Sequence, residues 1–434
     1  MNHRRNNPLA VTGLTAALAL SGAFLTACGG GANVAEPTPL TELTAPAYRM
    51  ETVWKTDAGE GAGEYVSGFD PAIGGDRIYV ANLDGYVVAL NLETGKRIWR
   101  SRTGNRLIAG PTVAGGLLLM GTRDGEIVAL SANTGEREWT AELSSEIIAA
   151  PAANGELAVA RTLDGRLVAL DLTTGKRRWT IERSVPTLTL RGTSSPVIDD
   201  GTVYAGLDNG KVLALDVNTG EERWSQAIAF PSGRSELERI VDIDADPLVI
   251  GNELYAVSAG GQLASLATTS GRVRWKQSVA SEQGLSYDER NIYATDRDSD
   301  LQAINRLTGS ASWEQDGLKY RELTGPTLYE GDLVAGDYEG YVHWLSADDG
   351  SVIARVRKLD DVLDDDAGDR RALGVVHRVH ALGARARRAA HARRAAADVP
   401  RRLRLLRVEA AALAAHVRAA LRARRARQRG HRRA

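Results

Sequence analysis

Cys28 is the only cysteine among 434 residues, and His343 is the only histidine between His3 and His377. A thiol, an imidazole and a carboxylate brought together could support nucleophilic or metal chemistry, but no His/Cys/Asp group here has metal-ligand spacing. The acids that do recur are Asp84, Asp124 and Asp164, each followed by glycine. Asp-Gly is turn chemistry, because glycine reaches φ > 0 at no steric cost. These carboxylates therefore read as turn formers, not as acids, bases or ligands. His343 stands on a strand-like run beside Trp344 and reads as a surface or packing residue. Cys28 follows Leu25-Thr26-Ala27, behind His3-Arg4-Arg5 and an apolar stretch from Leu9 to Leu25. That stretch is too short, and too rich in Thr, Ser and Gly, for a membrane span. It reads as a secretory signal with a lipobox-type site, so the chemistry expected of Cys28 is acylation. No disulfide can form in the exported chain, and its core must hold by packing. Gly29, with no Asp in its place, points to outer-membrane sorting.

The elements that would position any site come from a repeat. Asp84-Gly85 is followed by an apolar run, Thr94-Gly95 and Trp99; Asp124-Gly125 by Thr134-Gly135 and Trp139; Asp164-Gly165 by Thr174-Gly175 and Trp179. Later copies carry Gly210 and Trp224, Gly261 and Trp275, and Ser299 and Trp313, with 14 residues from the turn position to Trp in all six. A seventh copy keeps Gly340 and Asp349-Gly350 but has Ala354 where Trp is due. Upstream of each turn lies a second strand-like run, such as RIYVANL or TVYAGLD, and before six of the seven stands a proline: Pro71, Pro111, Pro151, Pro196, Pro247 and Pro326. Each unit thus reads as four short strands, with period-2 alternation of Val87 and Ala89 against Val88 and Leu90. Four-stranded units at a period near 40 residues describe the blades of a β-propeller. Each Trp is expected to wedge between neighbouring blades, since one blade cannot bury both its faces alone.

Trp54 resembles the last strand of a repeat with nothing before it. Seven repeats follow, so a C-terminal half-repeat should pair with it and close an eight-bladed-type ring without free edges. After about Arg357 the pattern stops instead. Residues 370–434 hold twenty Arg and two acids, which leaves 34 basic and 53 acidic residues in 1–369. An acidic body and a very basic tail hide behind the net charge of -1. The tail reads as a nucleic-acid or acidic-lipid arm, as a helical oligomerisation segment, or as out-of-frame translation of a GC-rich gene. The last also explains the lost final repeat. The expected organisation is a signal peptide at 1–27, a lipidated flexible linker at 28–49, an all-β propeller at 50–356 with its last blade incomplete, and an Arg/Ala-rich tail at 357–434. An unclosed ring would expose one face of its first blade and one of its last.

Three stretches go beyond the generic repeat: Pro186-Thr187-Leu188-Thr189-Leu190-Arg191-Gly192-Thr193-Ser194-Ser195-Pro196, Ser235 to Asp244 (SELERIVDID), and Gly336 to Leu345 (GDYEGYVHWL). From the lipobox to about Arg355 the chain resembles the BamB family, propeller lipoproteins of the outer-membrane β-barrel assembly machinery. The resemblance implies an eight-bladed propeller with no enzymatic activity and no cofactor or metal. It implies docking on the periplasmic domains of BamA within the assembly complex and no nucleic-acid partner, and leaves open whether unfolded client proteins are contacted directly. It places the chain on the periplasmic face of the outer membrane, held by lipid at Cys28. Its contact residues correspond to Leu188, Leu190, Arg191, Asp242 and Asp244. Leu188 and Leu190 would share one side of an extended segment, Arg191 can bond a carboxylate or carbonyls bidentately, and the two acids could orient Arg191 or meet a basic partner. Inter-blade packing and a local ion pair would use the same residues.

Two rivals stand beside this reading. Quinoprotein dehydrogenases carry similar Gly-to-Trp repeats, but their chemistry needs a quinone pocket, a Ca²⁺ site and a catalytic Asp, and members often have adjacent cysteines. A generic periplasmic docking propeller is the other, and binding to BamA separates the two.

Overall fold

The computed structural model describes residues 35–44, 46–47, 54, 56, 69–190 and 194–357. Cys28, Arg191 and the Arg-rich tail lie outside them. Seven four-stranded antiparallel sheets follow one another along the chain, each in simple sequential order. The first runs through Ala72–Gly74, Arg77–Ala81, Tyr86–Asn91 and Arg97–Arg102, the seventh through Thr327–Tyr329, Asp332–Gly336, Tyr341–Ser346 and Val352–Arg357. The first strands of successive sheets lie side by side. This is the expected all-β propeller of four-stranded blades. Where the repeats point to an eight-bladed ring, the described residues form seven blades: the eighth would need sequence after Arg357, where the repeat ends.

The third strand shows why the repeat packs. In Tyr86–Asn91 the four central residues are all buried. Val87 and Ala89 join the core shared with the second blade, while Val88 and Leu90 join the opposite cluster with Trp54. A strand between two neighbours must be apolar on both faces, so the period-2 pattern separates two partners rather than core from water. Fourth strands are mostly exposed in the first three blades, and the pairing of third with fourth strand carries a bulge in every blade, as between Ala89 and Leu90. The bulge aims the Trp at the next blade. Its opposite residue is small in the first six blades: Ala89, Ala129, Ala169, Ala214, Ser265 and Ala303. The seventh inverts the pair, with Trp344 opposite Ala354, keeping the volume while moving the bulk to the inner strand.

Each Trp lands on the Thr-Gly turn of the following blade. The indole N–H of Trp99 donates to Ala132 O at 3.2 Å, Trp139 to Leu172 O at 3.0 Å and Trp179 to Val217 O at 2.8 Å. Trp224, Trp275 and Trp313 repeat the contact with Thr268, Arg306 and Ala347. Glycine is required in these turns twice over. Gly135 sits at φ +77°, and a Cβ there would stand 2.6 Å from the Trp99 ring. In blades one, four and six a tyrosine on the second strand (Tyr79, Tyr204 or Tyr293) donates to the same carbonyl as the Trp and tilts against its ring.

The two outer faces of the series are not exposed. Ile78, Val88 and Leu90 are buried with Trp54, and Val342, Trp344 and Ala354 are buried on the seventh blade. Trp54 donates to Leu92 O at 3.1 Å and lies over Gly95, as if it belonged to a preceding blade. Part of the stretch expected to be a linker also makes contacts. Ala47 N–H donates to Ile353 O at 2.8 Å, alongside the seventh blade's outer strand.

Candidate docking surface

Antiparallel order puts the turn between second and third strands, and the connection to the next blade, at one rim of the propeller, the upper rim. A repeated backbone bond ties the two together: Arg123 N–H to Arg106 O, Leu163 N–H to Glu146 O, Ala259 N–H to Asp242 O and Tyr338 N–H to Arg321 O, all between 2.8 and 3.0 Å. Two of the connections at this rim are long, from Glu182 to Val197 and from Ala227 to Leu248, and they carry every partner-contact residue implied by the resemblance.

The structure brings these two connections together. The Asp242 carboxylate accepts the Leu190 backbone N–H at 2.5 Å, and the Asp246 carboxylate accepts that of Ser195 at 2.6 Å. Leu188, just before, is 45 % exposed, while Leu190 is half-buried. Asp242 is only 1 % exposed, so it works on the loop bearing the leucines and does not itself offer a surface carboxylate. Beneath them Arg161, also buried, donates to Gly206 O and to the Asp208 carboxylate, both at 2.6 Å. A Cβ on Gly206 would run into the Ile243 side chain, so the connection is seated directly on the fourth blade's second strand.

The electrostatics of the acid pair are unusual. Both Asp244 carboxylate oxygens and Asp242 Oδ1 are buried without a hydrogen-bond partner among the described residues. Burial pushes the Asp242 carboxyl up to about 7, against the Leu190 amide that favours its charge. Burial, then the neighbouring charges of Asp242, Glu282 and Asp208, push Asp244 up to about 8, with Arg161 opposing. A buried carboxylate without a partner is costly, which is why both carboxyls are pushed well above the ordinary carboxylate range.

Two further apolar side chains on the second connection are not marked by the sequence: Phe230 is 69 % exposed and Leu237 is 73 % exposed. The signal available is a large apolar residue within a polar loop, FPSGRSELER. Glu238 folds that loop by accepting the Arg234 and Ser235 amides at 2.6 and 3.2 Å.

His343 is neither on the surface nor merely packed. It is fully buried, its Nε2–H donating to Asp337 at 3.0 Å and its Nδ1 accepting from Arg355 Nε at 3.1 Å. Because arginine only donates, Nδ1 must be the acceptor and the imidazole is neutral. Burial lowers its pKa, despite the Asp337 carboxylate beside it. Both nitrogens are thus engaged. The recurring Asp84, Asp124 and Asp164 lie exposed on turns.

The polar rim loops of the propeller are thus knitted into one surface, where loops held on a rigid scaffold present their side chains. Comparison with known proteins narrows the class. The sequence profile described as "Outer membrane protein assembly factor BamB" matches residues 50–142, 83–315 and 260–357. The outer membrane protein assembly factor BamB of Alkalilimnicola ehrlichii is 49% identical over 82% of this chain and 90% of its own length. That of Pseudomonas aeruginosa is 44% identical over 78% and 90%, and that of Escherichia coli 33% identical over 81% and 91%. The crystal structure of BamB from Moraxella catarrhalis superposes with a TM-score of 0.63 at 30% identity, covering 70% of this chain and 91% of that one. The chain belongs to the BamB family of outer membrane protein assembly factors. A quinohemoprotein alcohol dehydrogenase from Comamonas testosteroni shares the fold alone, with a TM-score of 0.57 at 14% identity.

Proposed function

We propose that the chain is a non-catalytic scaffold in the assembly and insertion of outer-membrane β-barrel proteins, docking through its upper rim on the periplasmic domains of BamA. The observation that carries this reading is the Leu190–Asp242 bond, which joins the two family-type connections into one surface presenting Leu188. Leu188 and Leu190 supply the apolar anchor and Arg191 the directional contact. Asp242 holds the loop through the Leu190 amide, and the half-buried Asp244 beside it is the seat for a basic group. Lipid on Cys28 keeps the propeller on the periplasmic face of the outer membrane, and the rim loops leave room for unfolded clients. In the working protein Trp54 is the outer tryptophan of an eighth blade, as its seat on Gly95 and its bond to Leu92 O support. His343, with both ring nitrogens engaged, is not free to act as a base.

Co-purification after gentle detergent extraction tests this. Arg191→Ala and Leu188→Ala are expected to lose BamA while melting like the parent. Unchanged capture of BamA by both variants refutes the assignment of these residues, and no capture by the parent refutes the partner.

A further inference from the structure

The stretch before the first blade is bound at a site built from the sixth and seventh blades. Thr38 N–H donates to Lys319 O at 3.0 Å, and Thr38 O accepts from Arg321 Nη1 at 3.1 Å. Leu40 packs against the core that contains Leu318, Leu323 and Leu345. Thr41 O accepts from Arg355 Nη1 at 3.0 Å, and Ala47 N–H reaches Ile353 O. The two guanidiniums that grip the segment are themselves fixed from behind. Arg321, 2 % exposed, pairs with Asp337 at 2.8 Å and with Glu339, and Arg355 is held on His343. A charged donor already positioned by a buried acid binds a backbone carbonyl without ordering cost of its own. The buried Asp337–His343–Arg355 relay, with Arg321 on the same acid, therefore presents two arginines to an extended peptide.

We propose that the described residues of 37–47 are an orienting strap, which fixes Thr38 at the upper rim between the sixth and seventh blades and so turns that sector toward the lipid surface. This rests on the reading of Cys28 as the lipidated residue. From Cys28 to Thr38 the chain spans at most ~35 Å when fully extended. Without the strap the next described contact with a blade is that of Trp54, and the reach to it grows to ~90 Å, enough for any side of the propeller to meet the membrane. With it, the long connections around Leu188 and Asp242, on blades three to five, are carried away from the anchored sector and left open to a partner.

The test uses the full lipidated chain on phosphatidylethanolamine/phosphatidylglycerol vesicles bearing a headgroup acceptor dye. A donor dye is placed at Asp298→Cys or at Asp124→Cys, both exposed on the upper rim but four blades apart. Lipid occupies Cys28, so only the new thiol is labelled. Energy transfer from position 298 is expected to exceed that from position 124 at least twofold, and Leu40→Asp or Thr38→Pro is expected to abolish the difference. Amide exchange at Ala47 should quicken at least tenfold in the Leu40→Asp chain while that of the sixth blade stays unchanged. Equal transfer from the two positions in the parent, or a difference that survives strap release, overturns the proposal. Intact mass separates the causes of failure. A lipidated chain with equal transfer refutes the strap alone, and a chain without lipid on Cys28 refutes the anchor and the strap together.

Discussion

Replacing Asp244 by Asn should stabilise the propeller in alkaline solution and have little effect in acid. A carboxyl that burial lifts to about 8 in the folded chain, against roughly 4 when unfolded, binds its proton more tightly in the native state. Stability is therefore lost as pH rises from about 4 to about 8, and no more is lost above. Four pKa units at ~1.4 kcal/mol each set a ceiling of ~5 kcal/mol. Asp242 shares the site and can take up the strain, so a measurable gain of ~2–3 kcal/mol at pH 9 is expected, or ~5 °C in melting temperature. At pH 5 the gain should fall below ~1 kcal/mol, because the native carboxyl is already neutral. Thermal melts of parent and Asp244→Asn between pH 5 and 9 read this directly. Curves that run parallel over the whole range would refute the argument that burial keeps the Asp244 carboxyl protonated. A partner that delivers a guanidinium to the pair reverses the sign, so its binding should tighten between pH 6 and 8.

Other perturbations act on the repeat and its network. Trp139→Phe removes the bond to Leu172 O and should cost ~1 kcal/mol in denaturant unfolding, while Trp139→Ala should cost ~3–5 kcal/mol through the cavity it opens. Gly175→Ala puts a Cβ 2.6 Å from the Trp139 ring at φ +68°, so a loss above ~2 kcal/mol is expected, and a neutral melt would show that the Trp can move aside. Arg321→Met strips Asp337 of its buried arginine, leaving only the neutral His343, and should cost ~3 kcal/mol or more by the same assay. Leu188→Ala, on an exposed loop, should stay within ~0.5 kcal/mol of the parent.

The blade is legible in the residues alone. Apolar third strands, glycines at two turn positions and a Trp at constant spacing admit one local solution, because a strand buried on both faces needs neighbours on both sides. The two rim connections are marked as well, through residues the repeat does not need. What those residues do depends on folding. Asp242 is readable as an acid near the leucines, but only the folded chain shows it buried and bonded to the Leu190 amide, since a carboxylate and an amide 52 residues apart leave no mark on composition. Phe230 and Leu237 are ordinary apolar residues until their exposure is known. His343 reads as a surface or packing residue because its partners come from separate strands and a turn. The strap is invisible for the same reason: a Pro- and Thr-rich stretch carries no periodicity, and its place depends on two arginines roughly 300 residues away that only the folded sheets bring within reach.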